Sequence, residues 1–247
     1  MGLRREELAS LAGVTVSWLA KLEQGHAHAV SAEVLTALAR ALRLSRAEQS
    51  HLLALAGYHA DAAGVGPEEG EGSVVTPALR VLLDQLEPNP AYLLDRAWCI
   101  VAWNDAEARL FPGLLGFGDK VPNLLELVFG DPDLGRLMAD HDEEQVRLVA
   151  QFRLHRTDWP GDPRIEAVVT RLRGSSARFV ALWDAMDVSP FMTTRRLFDH
   201  PVAGRLELDH HRLAVLDQPG MQLVVYTGVA GTDSIERLRG VGLTGAP

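Results

Sequence analysis

The chain has 247 residues, of which 47% are hydrophobic and 23% charged, so its composition is that of a globular protein with one or two domains. Its net charge of −9 argues against a general nucleic-acid binder, and its single cysteine excludes an internal disulfide bond. No apolar run approaches the ~20 residues that span a bilayer, and the N-terminal MGLRREEL lacks the apolar region of a secretory leader. We therefore expect a cytoplasmic protein without a membrane segment.

The charge is unevenly distributed along the chain. Residues 1–60 carry six Lys or Arg and five Asp or Glu, a net charge of +1, whereas the remaining residues carry −10. Residues 61–76, DAAGVGPEEGEGSVVT, are rich in glycine and glutamate, a composition that is typical of a flexible linker. The sequence thus predicts an N-terminal domain at residues 1–60, a linker at 61–76 and a second domain at 77–247.

The first sixty residues predict four short helices, which begin near Arg5 and after the capping residues Thr15, Ser31 and Ser45. The first two have the spacing of a helix-turn-helix. This motif needs a small residue in its first helix, a glycine in its turn and apolar anchors in its second helix. Ala9, Gly13 and Leu19 meet these three conditions, and we expect Leu8, Leu11 and Leu22 to be buried around them.

The region after residue 76 predicts a mixed α+β domain. Thr76 caps a helix that ends near residue 87, with Leu79, Leu82, Leu83 and Leu86 inward. Two apolar runs around Asp95 predict a hairpin, and Asn104 caps the helix that follows. Further helices are predicted near residues 123–129, 143–156, 164–173 and 177–186, and strands at 195–198, 205–208, 213–216 and 222–227. These strands would form a small antiparallel sheet.

Residues 3–57 resemble the phage-repressor-like (XRE) helix-turn-helix family, through LRREELASLAGVTVSWLAKLEQG and SAEVLTALARALRLS. The resemblance implies an all-α domain whose second helix lies in the major groove of double-stranded DNA. A further helix precedes the motif in this family, so we expect a domain that lacks its first helix. By position, Val16, Ser17 and Lys21 would meet base edges and Arg5 a phosphate. Candidates for contacts with the DNA backbone are Thr15, Trp18 and Gln24; Trp18 could equally pack against a neighbouring helix.

The segment PNPAYLLDRAWCIVAWNDAEARLF is typical of the start of a PAS-like domain, in which an antiparallel sheet and helices enclose a pocket. With TPALRVLLDQL, NLLELVFGDP, PGDPRIEAVVTRLRGSSARFVALWDAMDV, HPVAGRLELD and QLVVYT, the chain resembles the MmyB-like transcription regulators. This resemblance implies a sensor of a small apolar or fatty-acid-like ligand. We also expect a regulator that acts as a homodimer, since one helix in one groove gives limited specificity and the two half-sites of a palindromic operator multiply it.

Large apolar side chains of the second domain are the candidate lining of such a pocket. They are Trp98, Trp103, Phe111, Phe117, Phe129, Phe152, Trp183, Met192 and Phe198. A carboxylate head group would need a cation, for which Arg147, Arg153 and His200 are candidates, although a turn at the end of a strand is the simpler interpretation of His200.

Two other classes of function remain as alternatives. The sequence gives little support for an enzyme. Cys99 lies in an apolar strand, where a thiol is usually inert, and His210 and His211 would point to opposite faces of a strand. Residues 140–144 are typical of a solvated helix start. We therefore predict no catalytic residues, no cofactor and no metal site. The second alternative is a PAS-like domain that serves only dimerisation or protein–protein contacts.

Overall fold

In the computed structural model the chain divides into two compact units, residues 1–66 and 67–247. The structure describes residues 4–26, 30–56, 75–118, 120–187 and 191–243. Most of the predicted linker at 61–76 lies outside the described residues, so the linker stays a prediction. None of the described helices has the length and apolar character to cross a membrane.

The N-terminal unit consists of helices α1 (Arg5–Leu11), α2 (Val16–Glu23), α3 (Ala32–Ala41) and α4 (Arg46–Leu55). Its core is built from buried Ala9, Ala12, Leu19 and Leu38. The Thr15 hydroxyl caps α2 by accepting a hydrogen bond from the backbone N–H of Trp18, at 3.2 Å. Gly13 has a φ of +69° in the turn between α1 and α2, a conformation that favours glycine.

The predicted helix-turn-helix is therefore confirmed, including the burial of Ala9 and Leu19. The expectation for Leu11 is wrong, because 64% of this residue is exposed. The buried face of α1 runs through Leu8, Ala9 and Ala12, which leaves Leu11 on the solvent side.

The C-terminal unit contains a five-stranded antiparallel sheet with the strand order β2-β1-β5-β4-β3. The strands are β1 (Ala91–Leu94), β2 (Ile100–Trp103), β3 (Thr194–His200), β4 (Gly204–Ala214) and β5 (Gln222–Gly228). The predicted α+β class, with an antiparallel sheet in the second domain, is confirmed. The β1–β2 hairpin also forms as predicted.

Strand β4 differs from the sequence prediction, which placed two separate strands at 205–208 and 213–216. The structure has one strand from Gly204 to Ala214, and Leu216 lies beyond it with 92% of its surface exposed. The apolar alternation breaks at His210 and Arg212 because these polar residues continue the inward face of Leu206 and Leu208.

The helices of this unit are α5 (Pro77–Gln85), α6 (Asp105–Leu110), α7 (Leu124–Gly130), α8 (Pro132–Leu137), α9 (His141–Thr157), α10 (Pro163–Ser175), α11 (Ala177–Asp184) and α12 (Ser234–Arg239); a 3₁₀-helix spans Pro112–Phe117. Helix α5 packs on one face of the sheet through Leu83, while helices between α6 and α12 cover the other face around Phe152 and Phe179. The predicted burial of Leu82 is wrong, because Leu79, Leu83 and Leu86 form the inward face of α5.

Asn104 joins three elements, α6, β1 and α5, through its side-chain hydrogen bonds. Its Oδ1 accepts hydrogen bonds from the N–H of Glu107, at 3.0 Å, and of Ala91, at 3.0 Å. Its Nδ2 donates to the carbonyl of Leu83, at 3.2 Å. The cap that starts α6 therefore also fixes α6 against β1 and α5, which positions Glu107.

Candidate functional sites: a buried cavity and an exposed helix face

A cavity of about 450 Å³ lies between the sheet and the helices on its inner face. Its helix side is apolar, with side chains that include Phe111, Leu114, Phe117, Leu124, Leu127 and Leu134. On its sheet side lie Ile100, Asp199 and a polar group formed by Tyr92, His210, Arg212 and Tyr226, and we call this group of four the polar sheet wall. Glu107 of α6 and Glu144 of α9 also line the cavity.

The structure places the predicted pocket residues in several parts of the domain. Phe111 and Phe117 line the cavity. The Phe198 ring is not part of the cavity lining, but its centroid lies 5.6 Å from the centroids of the Phe111 and Tyr226 rings.

The other predicted aromatic residues pack away from the cavity lining. Trp98, Phe152 and Trp183 pack together in the core, and Phe129 contacts Phe179 at 5.4 Å. Trp103 is half-buried at the end of β2, and Met192 is exposed.

The predicted cations do not line the cavity either. Arg147 forms an ion pair with Glu144, at 2.9 Å, and the guanidinium of Arg153 lies 4.4 Å from the centroid of Trp183. His200 accepts hydrogen bonds from the N–H groups of Val202 and Ala203, which supports the simpler interpretation of His200 as part of a turn.

Two cations line the cavity, and sequence reasoning missed both: Arg136 is exposed, whereas Arg212 lies in the polar sheet wall. Its guanidinium carbon lies 4.3 Å from the centroid of Trp98 and 5.3 Å from that of Phe191. The signal that could have found it is the alternation along RLELDHHR, because Leu206, Leu208, His210 and Arg212 share one face of a strand. His211 points to the other face and contacts Thr227, so the prediction of opposite faces for the two histidines is confirmed.

A buried ionic network adjoins the polar sheet wall. Glu144 forms ion pairs with Arg196, at 3.0 Å, and with Arg147, at 2.9 Å. Both Glu144 and Arg196 are buried. The predicted solvated helix start at 140–144 is therefore wrong for Glu144. Arg196 also contacts Nδ1 of His210 at 3.4 Å.

Burial shifts two titrating groups of the cavity in opposite directions. Burial lowers the pKa of His210 well below its ordinary value, and the positive charges of Arg196 and Arg212 lower it further. Burial raises the pKa of Glu107 well above its ordinary value. Each shift favours the neutral form of its side chain.

In the N-terminal unit, the first turns of α2 present an exposed face. Val16, Ser17, Lys21 and Gln24 are exposed there, and the Thr15 hydroxyl is engaged as the helix cap. Trp18 is half-buried against the small core, which agrees with the packing alternative. Arg5 pairs with Glu23 at 2.6 Å, so a phosphate would compete with this carboxylate.

Neither a metal cluster nor a reactive thiol is evident in the part of the chain that the structure describes. It holds no group of three or more His, Cys, Asp or Glu side chains arranged to bind a metal ion. The sequence also contains two histidines at i and i+2, His26 and His28, of which His28 lies outside the described residues. Burial raises the pKa of the Cys99 thiol, which keeps it protonated.

Comparison with protein families gives two matches. The model of the MmyB-like transcription regulator ligand binding domain matches residues 75–240, and a helix-turn-helix domain model matches residues 1–52. No curated protein matches the chain. Because the first match covers more than half of the sequence, the chain belongs to the MmyB-like transcription regulators and is a DNA-binding regulator with a C-terminal ligand-binding domain.

Proposed function

We propose that this regulator binds a small apolar or fatty-acid-like molecule in the cavity, and that binding changes its affinity for DNA. The observation that carries the proposal is the cavity of about 450 Å³ with apolar side chains along one side. Sites for small ligands have volumes of roughly 300–1,000 Å³ and combine apolar walls with a few placed polar groups. A domain with a well-filled interior would instead favour a role limited to dimerisation.

The proposed DNA contacts lie on the exposed face of α2. Val16, Ser17 and Lys21 would approach base edges, where Val16 can contact a thymine methyl group and Lys21 can donate to guanine O6 or N7. Further contacts to phosphates and sugars would come from Arg5, Thr15, Trp18 and Gln24. Their exposure supports this role for Thr15 and Gln24, whereas Trp18 is half-buried.

The regulator would act in the cytoplasm as a homodimer on a palindromic operator. One short helix contacts few base pairs, whereas two helices about one turn of DNA apart read two half-sites. Ligand binding would then shift the population between two arrangements of the paired reading helices. For such a shift the ligand must bind one arrangement more tightly than the other.

Native mass spectrometry of the full-length protein, followed by denaturing extraction, tests the two parts of this proposal together. We expect a dimer that retains a discrete small molecule with an alkyl or aromatic part. A dimer without any retained or added ligand would favour the dimerisation-only alternative. A monomer would contradict the paired-helix arrangement.

A further inference from the structure

Helix α5 carries apolar side chains on more than one of its faces. Leu79, Leu83 and Leu86 form the face that packs toward the sheet. Val81 and Leu82 lie outside this inward face, and they are 53% and 41% exposed. A helix on the surface of a domain normally presents polar residues to solvent. A second apolar face is therefore the mark of a surface that another molecule covers.

The exposed residues of α5 form a regular stripe along the helix. They are all exposed and follow the spacing i, i+3, i+4 and i+7, which places them on one side of a helix. These residues, which we call the outer stripe, are Ala78, Val81, Leu82 and Gln85. Residues at this spacing are the ones through which one helix packs against another.

The outer stripe is complementary to a second copy of itself. In a two-fold symmetric pair, each contact of residue i with residue j is repeated as a contact of j with i. For two antiparallel helices, an axis between Val81 and Leu82 sets Val81 against Leu82 of the other copy. The same axis sets the small Ala78 against the long Gln85. Large apolar side chains therefore meet at the centre, and a small side chain leaves room for a long one at each end.

Two charges beside the outer stripe are complementary in the same arrangement. Arg80 and Asp84 lie one turn apart on one flank of α5, and both are exposed. Arg80 donates a hydrogen bond to the carbonyl of Trp103, at 3.1 Å, and neither charge forms an ion pair with any described residue. Antiparallel packing brings Arg80 of each copy beside Asp84 of the other. The offset between them is one residue, about 1.5 Å along the helix, which long side chains span.

We propose that a second copy of this chain covers the outer stripe, with the two α5 helices antiparallel about a two-fold axis. Val81 and Leu82 form the apolar centre of the contact, and Arg80 and Asp84 of opposite copies pair at its rim. An apolar core with a polar rim is the usual anatomy of a homodimer interface. The inference rests on the homodimer of the proposed function, and it adds the surface and the direction in which the two copies meet.

Sedimentation equilibrium of the full-length protein measures the dissociation constant of the dimer. Val81→Asp places a carboxylate at the centre of the contact in both copies. We expect the dissociation constant to rise by at least about 100-fold, because substitutions at the centre of an interface have the largest effects and this one acts twice.

Val202→Asp is the matched control for this variant. Val202 lies in the turn between β3 and β4, outside the outer stripe, and it is 74% exposed. The same substitution at this position should leave the dissociation constant unchanged. Circular dichroism establishes that each variant is folded.

The ion pairs at the rim have a test of their own. Asp84→Arg leaves only positive charges on this flank of α5, and Arg80→Asp leaves only negative ones. Each variant alone should dimerise about 3- to 30-fold more weakly than the unmodified protein, because two exposed pairs are lost and like charges approach. An equimolar mixture of the two variants should restore dimers, since opposite charges then face each other again. Native mass spectrometry identifies the mixed dimer by its mass.

The outcomes distinguish this inference from the proposed homodimer. Dissociation of Val81→Asp, with Val202→Asp still dimeric and the charge variants rescued in the mixture, supports the inference. A Val81→Asp dimer as stable as that of the unmodified protein overturns it, since the homodimer then forms through another surface. A mixture that does not restore dimers overturns the antiparallel arrangement. A monomeric unmodified protein overturns the inference together with the homodimer of the proposed function.

Discussion

Arg196 donates to Nδ1 of His210 across 3.4 Å, and this contact determines which nitrogen of His210 carries its proton. The same guanidinium pairs with Glu144 of α9 at 3.0 Å. Arg196 therefore joins strand β3 to helix α9, and it orients a side chain of the cavity wall. The interior of this domain is built around charges as well as apolar contacts.

Replacing Arg196 should be far more costly than replacing its neighbour. Arg196→Met leaves Glu144 with a single partner in a buried position, and we expect a loss of about 3–5 kcal/mol in the free energy of unfolding. Arg195→Met is the control, because Arg195 is about half exposed and pairs with Glu207 at 3.5 Å on the outer face. It should cost at most about 1 kcal/mol. Urea denaturation followed by tryptophan fluorescence measures both, and equal costs would contradict the role of the network.

Glu107 predicts a specific dependence of stability on pH. Its pKa is raised in the folded state, so above the ordinary value of 4.5 the folded protein retains a proton that the unfolded chain has lost. The stabilisation is complete below that value and is lost as pH rises toward the folded-state pKa, at about 1.4 kcal/mol per pH unit. Burial also raises the pKa values of the Tyr92 and Tyr226 hydroxyls, which line the same cavity.

Glu107→Gln removes this titration. The stability of the variant relative to the unmodified protein should therefore increase as pH rises above 4.5. Denaturation curves at a series of pH values measure the difference, with Asp105→Asn as the control for an exposed carboxylate on the same helix. A difference that does not change with pH would show that Glu107 is ionised in the folded protein.

Filling the cavity should abolish ligand binding without unfolding the domain. Leu134 of α8 is half-buried and lines the cavity, so Leu134→Trp places a larger side chain into the space. We expect the affinity for a neutral apolar dye such as Nile red to fall by at least about tenfold. The free energy of unfolding should change by no more than about 3 kcal/mol. Leu213→Trp, on an exposed position of β4, is the control. Unchanged dye binding by Leu134→Trp would place the ligand elsewhere.

The DNA contacts make separable predictions. Lys21→Ala should weaken binding to the operator by about 1–3 kcal/mol while changing nonspecific binding much less, if Lys21 reads a base edge. Arg40→Ala removes one exposed charge from α3 and serves as the control. Anisotropy titrations with operator and scrambled duplexes measure both, and equal losses on the two duplexes would assign Lys21 to a phosphate.

Removing the charge of Glu23 should increase the affinity for DNA. Glu23→Gln releases Arg5 from the ion pair at 2.6 Å and removes a negative charge from the DNA-facing unit. We expect tighter binding to any duplex and a steeper dependence on salt, by about one additional phosphate contact. A salt titration of binding measures the slope. An unchanged slope would mean that Arg5 does not contact DNA.

The sequence predicted those features that depend on neighbours along the chain. Thr15, Thr76 and Asn104 were recognised as helix caps because a cap involves residues only a few positions apart. Gly13 was recognised because the turn requires its conformation. The inward stretch of β4 is not evident from the sequence because its polar residues pack against partners on other elements, such as Arg196 beside His210 and Trp98 beside Arg212.

The cavity lining was harder to predict for the same reason. Large aromatic residues were selected by size, but Phe152, Trp183 and Phe129 pack against one another and fill the core. The cavity lies where the 3₁₀-helix, α7 and α8 face the sheet, and this arrangement depends on pairing between strands at opposite ends of the domain. Sequence spacing alone does not contain that information.

Occupation of the cavity should change DNA binding. The affinity of the full-length protein for its operator, measured first without ligand and then with an added alkyl carboxylate, tests this coupling. The operator can be selected from a random duplex pool, and Leu134→Trp shows whether any effect requires the cavity. We predict that ligand changes the operator affinity by about 5- to 150-fold, and that DNA changes the ligand affinity by the same factor. Equal operator affinities for the free and the ligand-saturated protein would contradict the claim.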